Sequence, residues 1–542
     1  MKPYTILRIV FAIFAVIALS DFVSFAYSSK TGICFDDAFM FTRYASNFLE
    51  GHGFSWNRTE GPVYGCTSIF YLFIVTAFRA FSWKSDQELL LSLSEFFGLL
   101  SVLSMCFLAY YSLEKDGVKR TWTHLLIFPV VLFSAVYRKN CVSGMETTFA
   151  IFLNSLFILS IVFLERSNSK KCFFSVILGY FSFLSRPENL IPWFVFPIFY
   201  LSDLKEKKKF IFSSLLLLTC DSLIKIAYFG GFLPLSFFVK KAGFYKFADL
   251  NKWNPLKFFS EFLSLSGPFI LLTVAFFPSN GVKKGLAFFA PLSIIFPYLF
   301  SINQIMGYSA RFFLPSLPYF IGAAFFVLNS LNRPVVNKES VAAENLPISI
   351  KVMLIFFLFL MIQPSYLNER LTEILENQHF SFENSLIAPA KLTNRGKIIV
   401  PKIGWMESIV SINNVISALP KKMCVAMSEH GLIGAMNPEI KILDLTGLHN
   451  RDFAKKGFSD NGLFSANPDL IWFPHSDYIY IRNQIFSNQM FRRDYIFYPD
   501  LFDFGFAINK NSPYLAEIEN LFESEFRKIY HESRKMELFL AD

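Results

Sequence analysis

The chain has 542 residues, of which 53% are hydrophobic, only 17% are charged and 70 are phenylalanine. So few polar side chains cannot cover the surface of a soluble protein of this size, and the composition therefore predicts an integral membrane protein. The net charge of +9 does not indicate nucleic-acid binding, because the Lys and Arg residues lie in short clusters between apolar segments, as they do in cytoplasmic loops.

The apolar segments predict eleven membrane spans, since about 20 helical residues cross the hydrocarbon layer of a bilayer. The first segment also fits a signal peptide, but its apolar run is long and lacks a convincing small-residue cleavage site, which favours an uncleaved span. The predicted spans are 5–27, 88–112, 122–138, 149–165, 172–184, 190–202, 210–228, 266–278, 284–300, 312–329 and 349–363.

The basic residues predict the orientation of these spans. With a cytoplasmic N-terminus, every basic cluster between spans lies inside, namely those at 115–120, 166–171, 205–209, 283–284 and 333–338. The odd number of spans then places the C-terminus outside. The apolar piece 67–82 is short and would reverse every later loop if it crossed, so we expect it to form a helix at the outer surface.

The composition changes near residue 364, where long apolar runs give way to mixed segments with turn signals. Short β-like runs alternate there with helix-like runs, which predicts a small outer α/β domain over 364–542 behind a membrane domain over 1–363. The β-like runs are 422–428, 440–445 and 469–474, and the helix-like runs are 405–419 and 449–457.

The first outer loop, over 28–87, contains the densest polar segment, Cys34–Ser68. We expect Asp36 or Asp37 to cap a helix over 38–50 that ends at Gly51, with Arg43 on the same face as Asp36. Two carboxylates near an Arg suit a general base acting beside an anionic phosphate. A capped surface helix with an ordinary ion pair fits the same residues. Two cysteines, Cys34 and Cys66, bracket the loop, and the sequence is compatible either with a disulfide between them or with two unpaired thiols.

Further polar residues are expected at the same outer face. Each has an ordinary explanation, since Glu146 suits a helix N-terminus, Arg186 and Glu188 suit a tight chain reversal, and the pair Lys240 and Lys241 suits contact with lipid headgroups. Arg311 is a further outer cation. Their convergence on one face nevertheless favours a site.

A known family of membrane enzymes shares the pattern of the first outer loop, which here reads DDAFMFTRYASNFLEGHGFSWN and then EGPVYGCTS. This pattern resembles the first periplasmic loop of the GT-C superfamily of polyprenyl-phosphate-sugar-dependent glycosyltransferases, especially terminal arabinofuranosyltransferase-like bacterial membrane proteins. The matching residues are Asp36, Asp37, Arg43, Tyr44, Asn47, Gly51, Gly53, Asn57, Glu60, Gly65, Thr67 and Ser68. Further likeness lies at 143–147, 185–188, 232–241, 310–315 and 444–448.

The chain departs from that pattern at three places. It has one extra residue before Glu60, Tyr64 where the family usually has Glu, and Leu235 where Asn is common. These departures remove a third acid and one polar group from the positions that the resemblance covers.

The resemblance implies a multi-span enzyme of the bacterial inner membrane that moves a sugar from a polyprenyl-phosphate donor to a periplasmic glycan or glycolipid, with inversion. It implies that Asp36 is the catalytic base and that Asp37 orients the acceptor or supports Asp36. Relatives differ in metal use, so Mg²⁺ or Mn²⁺ at these two acids is left open. The implied donor-phosphate ligands are Arg43, Arg186, Lys240, Lys241 and Arg311, and the implied substrate-binding residues are Tyr44, Asn47, Glu60, Glu146 and Glu188.

Two other functions compete with a transferase. A flippase or transporter of lipid-linked sugars should bury charges at mid-bilayer and show repeated halves, neither of which the sequence indicates. A receptor that binds through the outer domain, which we otherwise expect to bind the carbohydrate acceptor, leaves the Asp36–Asp37 loop unexplained.

Overall fold

The structure is a computed structural model of the chain. It describes residues 3–28, 34–81, 85–112, 124–125, 127–166, 172–241, 255–275, 282–300, 304, 307–331, 392–395, 398–401, 404–475 and 478–530.

Most of the described residues are helical, and a small sheet lies near the C-terminus. The first fifteen helices are α1 Pro3–Ser28, α2 Asp36–Leu49, α3 Ile69–Arg79, α4 Asp86–Ser112, α5 Ile127–Phe133, α6 Ala135–Cys141, α7 Thr147–Arg166, α8 Cys172–Ser185, α9 Leu190–Tyr200, α10 Leu204–Phe229, α11 Leu235–Lys241, α12 Pro255–Ala275, α13 Val282–Ala287, α14 Leu292–Phe300 and α15 Leu317–Leu331. The later helices are α16 Trp405–Ala418, α17 Gly431–Met436, α18 Arg451–Lys456, α19 Asp460–Ser465, α20 Ile479–Ser487, α21 Gln489–Asp494 and α22 Leu515–Tyr530. Short 3-10 turns lie at Pro187–Asn189, Tyr308–Ala310 and Leu314–Ser316.

Five stretches of the described chain are long and apolar enough to cross a membrane, which supports a membrane protein but does not confirm eleven spans. They are Asp86–Ser112, Thr147–Glu165, Leu204–Phe229, Pro255–Ala275 and Tyr308–Leu328. The apolar helices Ala15–Tyr27, Ile69–Arg79 and Cys172–Ser185 are shorter. The predicted span 349–363 lies outside the described residues.

Two predicted spans are each divided into shorter helices. The segment 122–138 contains α5 and the start of α6, because the side chain of Ser134 accepts the N–H of Tyr137 and starts a new helix there. The segment 284–300 is divided between α13 and α14. The predicted span 266–278 is the C-terminal part of a longer helix, α12. The helix expected over 67–82 is present as α3.

By their contacts, the residues form two compact units. The first unit comprises 1–31, 91–221 and 253–380, and the second comprises 32–90, 222–252 and 381–542. The second unit thus groups the first outer loop with the C-terminal sheet, whereas the sequence placed a single boundary near residue 364.

The first unit has an apolar core between α7, α8, α9, α13 and α15. Trp193 is fully buried at its centre, and a side chain at Gly179 would collide with the indole ring. Phe196 contacts the rings of Phe288 and Tyr319 edge-on at 5.2 and 5.6 Å. These close aromatic contacts hold the short helices together.

The second unit contains a five-stranded mixed sheet. Its strands are β3 Cys424–Met427, β4 Lys441–Asp444, β5 Leu470–Trp472, β6 Tyr495–Tyr498 and β7 Phe506–Asn509, in the order β4-β3-β5-β7-β6. β3 pairs in parallel with β4 and β5, while β7 pairs antiparallel with β5 and β6. A separate hairpin pairs β1 Leu392–Arg395 with β2 Ile398–Pro401. The three predicted β-like runs are therefore confirmed, as are the helix-like runs at α16 and α18.

The C-terminal helix α22 covers this sheet. Ile518, Phe522, Phe526 and Tyr530 are buried and follow one another at four-residue intervals, which puts them on one face of the helix. The ring of Phe522 stacks on Phe506 of β7 at 3.8 Å. The C-terminal helix and the sheet therefore pack together as an α/β layer.

Candidate active-site cluster around Asp36

The first acid of the outer loop is buried at the start of α2, with 2% of its surface exposed. Its two carboxylate oxygens accept the backbone N–H groups of Gly431 and Leu432, at 2.9 and 2.8 Å. Asp36 therefore satisfies the first donors of α17, and Phe35 occupies the N-cap position of α2. The expected capping of α2 by an Asp side chain is wrong, but the expected end at Gly51 is confirmed by its positive φ of 88°.

Arg43 is fully buried and holds three chain segments together. Its Nε donates to the carbonyl of Trp56 at 2.7 Å, and its Nη1 donates to the carbonyls of Gly434 and Asn437 at 2.7 and 3.1 Å. Its Nη2 donates to Asn57 Oδ1 and to the carbonyl of Ile440 at 3.2 and 2.9 Å. All five N–H groups are used. In this arrangement Arg43 has none left for Asp36 or for a donor phosphate, and burial lowers its pKa.

Two glycines allow this close packing. A side chain at Gly431 would collide with the backbone carbonyl of Asp36, and one at Gly434 would lie 3.0–3.1 Å from Trp56 and Arg43. The short helix α17 can therefore approach α2 only because it is glycine-rich on this face.

Tyr44, an expected substrate-binding residue, is buried against the C-terminal region. Its hydroxyl lies 2.8 Å from His449 Nδ1, and the His449 ring stacks on Trp56 at 3.9 Å. A side chain at Gly65 would overlap both Tyr44 and His449. Gly65, which matches the family pattern, therefore leaves room for the contact between Tyr44 and His449.

Behind Asp36 lies a buried pair of a histidine and an aspartate. His430 Nε2 is 3.1 Å from Asp444 Oδ1, and both side chains are inaccessible to solvent. Burial favours a neutral His430 ring, but the carboxylates of Asp444, Asp36 and Asp37 raise its pKa. Burial alone would raise the pKa of Asp444, yet His430 holds it well below its usual range. Burial and the charge of His430 lower the pKa of His449.

The acid pair itself is asymmetric. Burial raises the pKa of Asp36, although the N–H groups of Leu432 and Gly431 oppose this change. Asp37 is half-buried on the same turn of α2.

Among the described residues, the only close group of three or more His, Cys, Asp or Glu is His430, Asp444 and His449. Within the described part of the chain, Asp36 and Asp37 thus have no third ligand of these types for Mg²⁺ or Mn²⁺, so these two acids alone form a poor fit to such an ion.

The remaining expected residues of the loop differ in exposure. Asn47 is buried and donates to the carbonyls of Ser55 and Trp56 at 2.9 and 3.1 Å. Glu60 is exposed, accepts a bond from Asn57 at 3.0 Å and lies 3.4 Å from Lys441 Nζ. Asn47 therefore shapes the loop, while Glu60 remains accessible.

A cleft in the second unit joins Tyr64 to α18. Tyr64 stacks on Phe229 at 5.0 Å, and Arg451 and Lys455 line the same cleft with Gly230 and Leu233. Arg451 Nη2 donates to the carbonyls of Pro62 and Phe229 at 2.8 and 2.7 Å. Sequence reasoning missed these two cations. Their i, i+4 spacing on α18 was a signal, but nothing in the sequence linked α18 to the outer loop.

The first unit assembles the other expected charges. Arg186 Nη1 donates to Glu146 Oε1 at 2.8 Å and its Nε donates to Glu188 Oε1 at 2.6 Å. The guanidinium groups of Arg186 and Arg311 lie 5.2 and 5.0 Å from the ring of Phe312. Residues from three separate segments of the first unit therefore form one largely buried polar cluster.

Lys240 and Lys241 end α11, and their side chains lie outside the described part of the structure. Cys34 and Cys66 are both buried, and no disulfide joins them.

No protein-family model matches the chain, and no curated protein sequence matches it. We therefore infer function from the arrangement of the chain's own residues.

Proposed function

We propose that the chain is a bacterial inner-membrane glycosyltransferase that moves a sugar from a polyprenyl-phosphate donor to a periplasmic glycan or glycolipid. Asp36 removes the proton of the acceptor hydroxyl, and the hydroxyl oxygen attacks the anomeric carbon with inversion. The donor phosphate leaves with the electrons of the broken glycosidic bond.

The observation that carries this proposal is the rigid, buried carboxylate of Asp36. A base needs a carboxylate that is more basic than one in water and is fixed in direction. Burial raises the pKa of Asp36, and the two N–H contacts fix its direction while opposing part of that rise. Each oxygen that accepts an N–H retains a second lone pair for the incoming proton. Asp37, half-exposed on the same turn, is placed to orient the acceptor.

Cations of the chain supply the charge that a departing phosphate requires. The cleft lined by Tyr64, Phe229, Arg451 and Lys455 supports this part of the proposal, because it combines an apolar lining for a prenyl chain with positive side chains. Lys240 and Lys241, also in the second unit, are further phosphate ligands in the proposal, while Arg43 serves the scaffold. Glu60 contacts the sugar or the acceptor.

The experiment offers a panel of polyprenyl-phosphate sugars and a glycan acceptor to the purified full-length protein in detergent. Release of polyprenyl phosphate measures transfer. Asp36→Asn should lower the rate by a factor of about 10² to 10⁴, as expected for loss of a general base. The matched control is Asp452→Asn, since this acid lies at the surface of the same unit. The unfolding temperature of each variant separates loss of chemistry from loss of folding.

A transfer rate in Asp36→Asn equal to that of the control would show that the base assignment is wrong. If the wild-type protein releases no polyprenyl phosphate from any donor but moves a fluorescent lipid-linked sugar across proteoliposomes, the flippase alternative is correct.

A further inference from the structure

Three donor side chains meet behind the acid pair. His430, Asp444 and His449 are all buried, with 0%, 1% and 2% of their surfaces exposed. One donor atom from each lies within 4.8 Å of the other two. They come from the residue before α17, the last residue of β4 and the loop that follows β4, so three chain segments converge on one point.

Two of the three side chains are already oriented by neighbours. Asp444 Oδ1 accepts the N–H groups of Thr446 and Gly447 and the Thr446 hydroxyl, and Oδ2 accepts the N–H of His449 at 2.7 Å. The Tyr44 hydroxyl contacts His449 Nδ1, and Nε2, the donor atom for an ion, lies 3.2 Å from the thioether sulfur of Met40, which is only a weak hydrogen-bond partner. Metal-binding histidines are typically fixed in this way through their second nitrogen.

His430 is the unusual member of the group. Its ring is completely buried, yet neither ring nitrogen makes a well-directed hydrogen bond to any described residue. Buried polar atoms nearly always have such a partner. Its Nε2 does face Asp444 Oδ1 at 3.1 Å, so the ring points toward the carboxylate.

We propose that His430, Asp444 and His449 form a zinc site. Two imidazole nitrogens and one carboxylate oxygen suit Zn²⁺ and disfavour Mg²⁺ or Ca²⁺, which prefer oxygen ligands. Donor atoms around a tetrahedral zinc with bonds of about 2.1 Å lie roughly 3.4 Å apart, so binding would draw the three side chains together.

This site differs from a magnesium or manganese site at Asp36 and Asp37, and it is independent of the proposed transfer reaction. An ion there would tie the outer loop, through Tyr44, to the end of β4. Its expected role is to stabilise the second unit.

The first measurement is metal content. Full-length protein in detergent is stripped with a chelator, reloaded with ZnCl₂ and passed through a desalting column. We expect about one bound Zn²⁺ per chain by mass spectrometry and a higher unfolding temperature for the loaded protein, because a ligand that binds the folded state stabilises it. Substoichiometric zinc with no change in unfolding temperature would refute the site without the use of any variant.

The second measurement assigns the ligands. Co²⁺ is loaded instead of zinc, and its visible absorption reports nitrogen and oxygen ligands. His430→Ala and His449→Ala should each lower the affinity for Co²⁺ at least tenfold, whereas His52→Ala, an exposed histidine of the same unit, should bind like wild type. Equal affinities in all three variants would contradict the proposal.

Discussion

Arg43 and Arg186, two of the buried arginines among the described residues, are stabilised in opposite ways. Arg43, in the second unit, donates all five N–H groups to oxygen atoms of uncharged groups and has Trp56 at 4.6 Å from its guanidinium carbon. Arg186, in the first unit, faces the carboxylates of Glu146 and Glu188. Arg43 is held mainly by backbone carbonyl groups, and Arg186 is held by two carboxylates.

This difference separates a residue that fixes the path of the chain from one whose surroundings can still accept a polar ligand. The carbonyl groups that accept hydrogen bonds from Arg43 belong to segments that are distant from it in the sequence. Arg43 therefore fixes the path of the chain, and in this arrangement it has no N–H group left for a ligand. Around Arg186 the buried Glu146 Oε2 has no hydrogen bond to any described residue, so the cluster retains capacity for a polar ligand. Charged clusters with unused donors or acceptors are where function is expected.

The largest expected effect is that of removing the Arg43 guanidinium. Arg43→Met should lower the free energy of unfolding by about 4 kcal/mol or more, since several buried acceptors each lose a donor at a cost of about 1–3 kcal/mol. The measurement is the unfolding of purified protein in detergent. Arg58→Met is the matched control, because Arg58 is partly exposed and its ion pairs with Glu50 and Glu439 should contribute about 1 kcal/mol or less. Similar losses in the two variants would contradict the scaffold role of Arg43.

Arg186 should give the next largest effect. Arg186→Met should cost about 3 kcal/mol, because it leaves Glu146 buried without its charge partner. Adding Glu146→Gln should recover part of that loss, whereas two independent contacts would give additive losses. Lys284→Met, which breaks the less buried pair with Glu165 in the same unit, provides the control.

The sequence predicted the local elements of this fold better than the partners of its polar residues. The strands over 422–428 and 440–445 were evident from β-branched and apolar runs, and the end of α2 was evident from Gly51. The pairing of Arg43 with Gly434 could not be predicted, because it joins residues 391 positions apart and depends on backbone carbonyls, which every residue type carries. Nor does a hydrophobic pattern distinguish one 17-residue span from two short helices divided at Ser134.

The contact between α17 and α2 offers a test through backbone packing alone. Gly431→Ala adds one methyl group that would collide with the Asp36 carbonyl, so we expect a loss of about 1–3 kcal/mol of unfolding free energy. Gly231→Ala is the matched control in the same unit, because it meets no atom within 4 Å. Hydrogen exchange of segment 431–442 should accelerate only in the first variant. Unchanged exchange there would mean that α17 does not pack on Asp36 as described.

The smallest effect is a pH dependence that comes from Asp36 itself. Burial raises its pKa above the unfolded value of about 3.9, so folding favours the protonated carboxyl, and this stability is lost as pH rises through the folded-state pKa. Asn at this position cannot titrate. The stability advantage of wild type over Asp36→Asn should therefore be largest near pH 4 and should shrink toward neutral pH. Unfolding temperatures of both proteins between pH 4 and pH 7 measure that difference, in which titratable groups distant from Asp36 cancel. An advantage that grows with pH would mean that the N–H contacts of Gly431 and Leu432 outweigh burial, and Asp36 would then be a helix-terminus anion rather than a base.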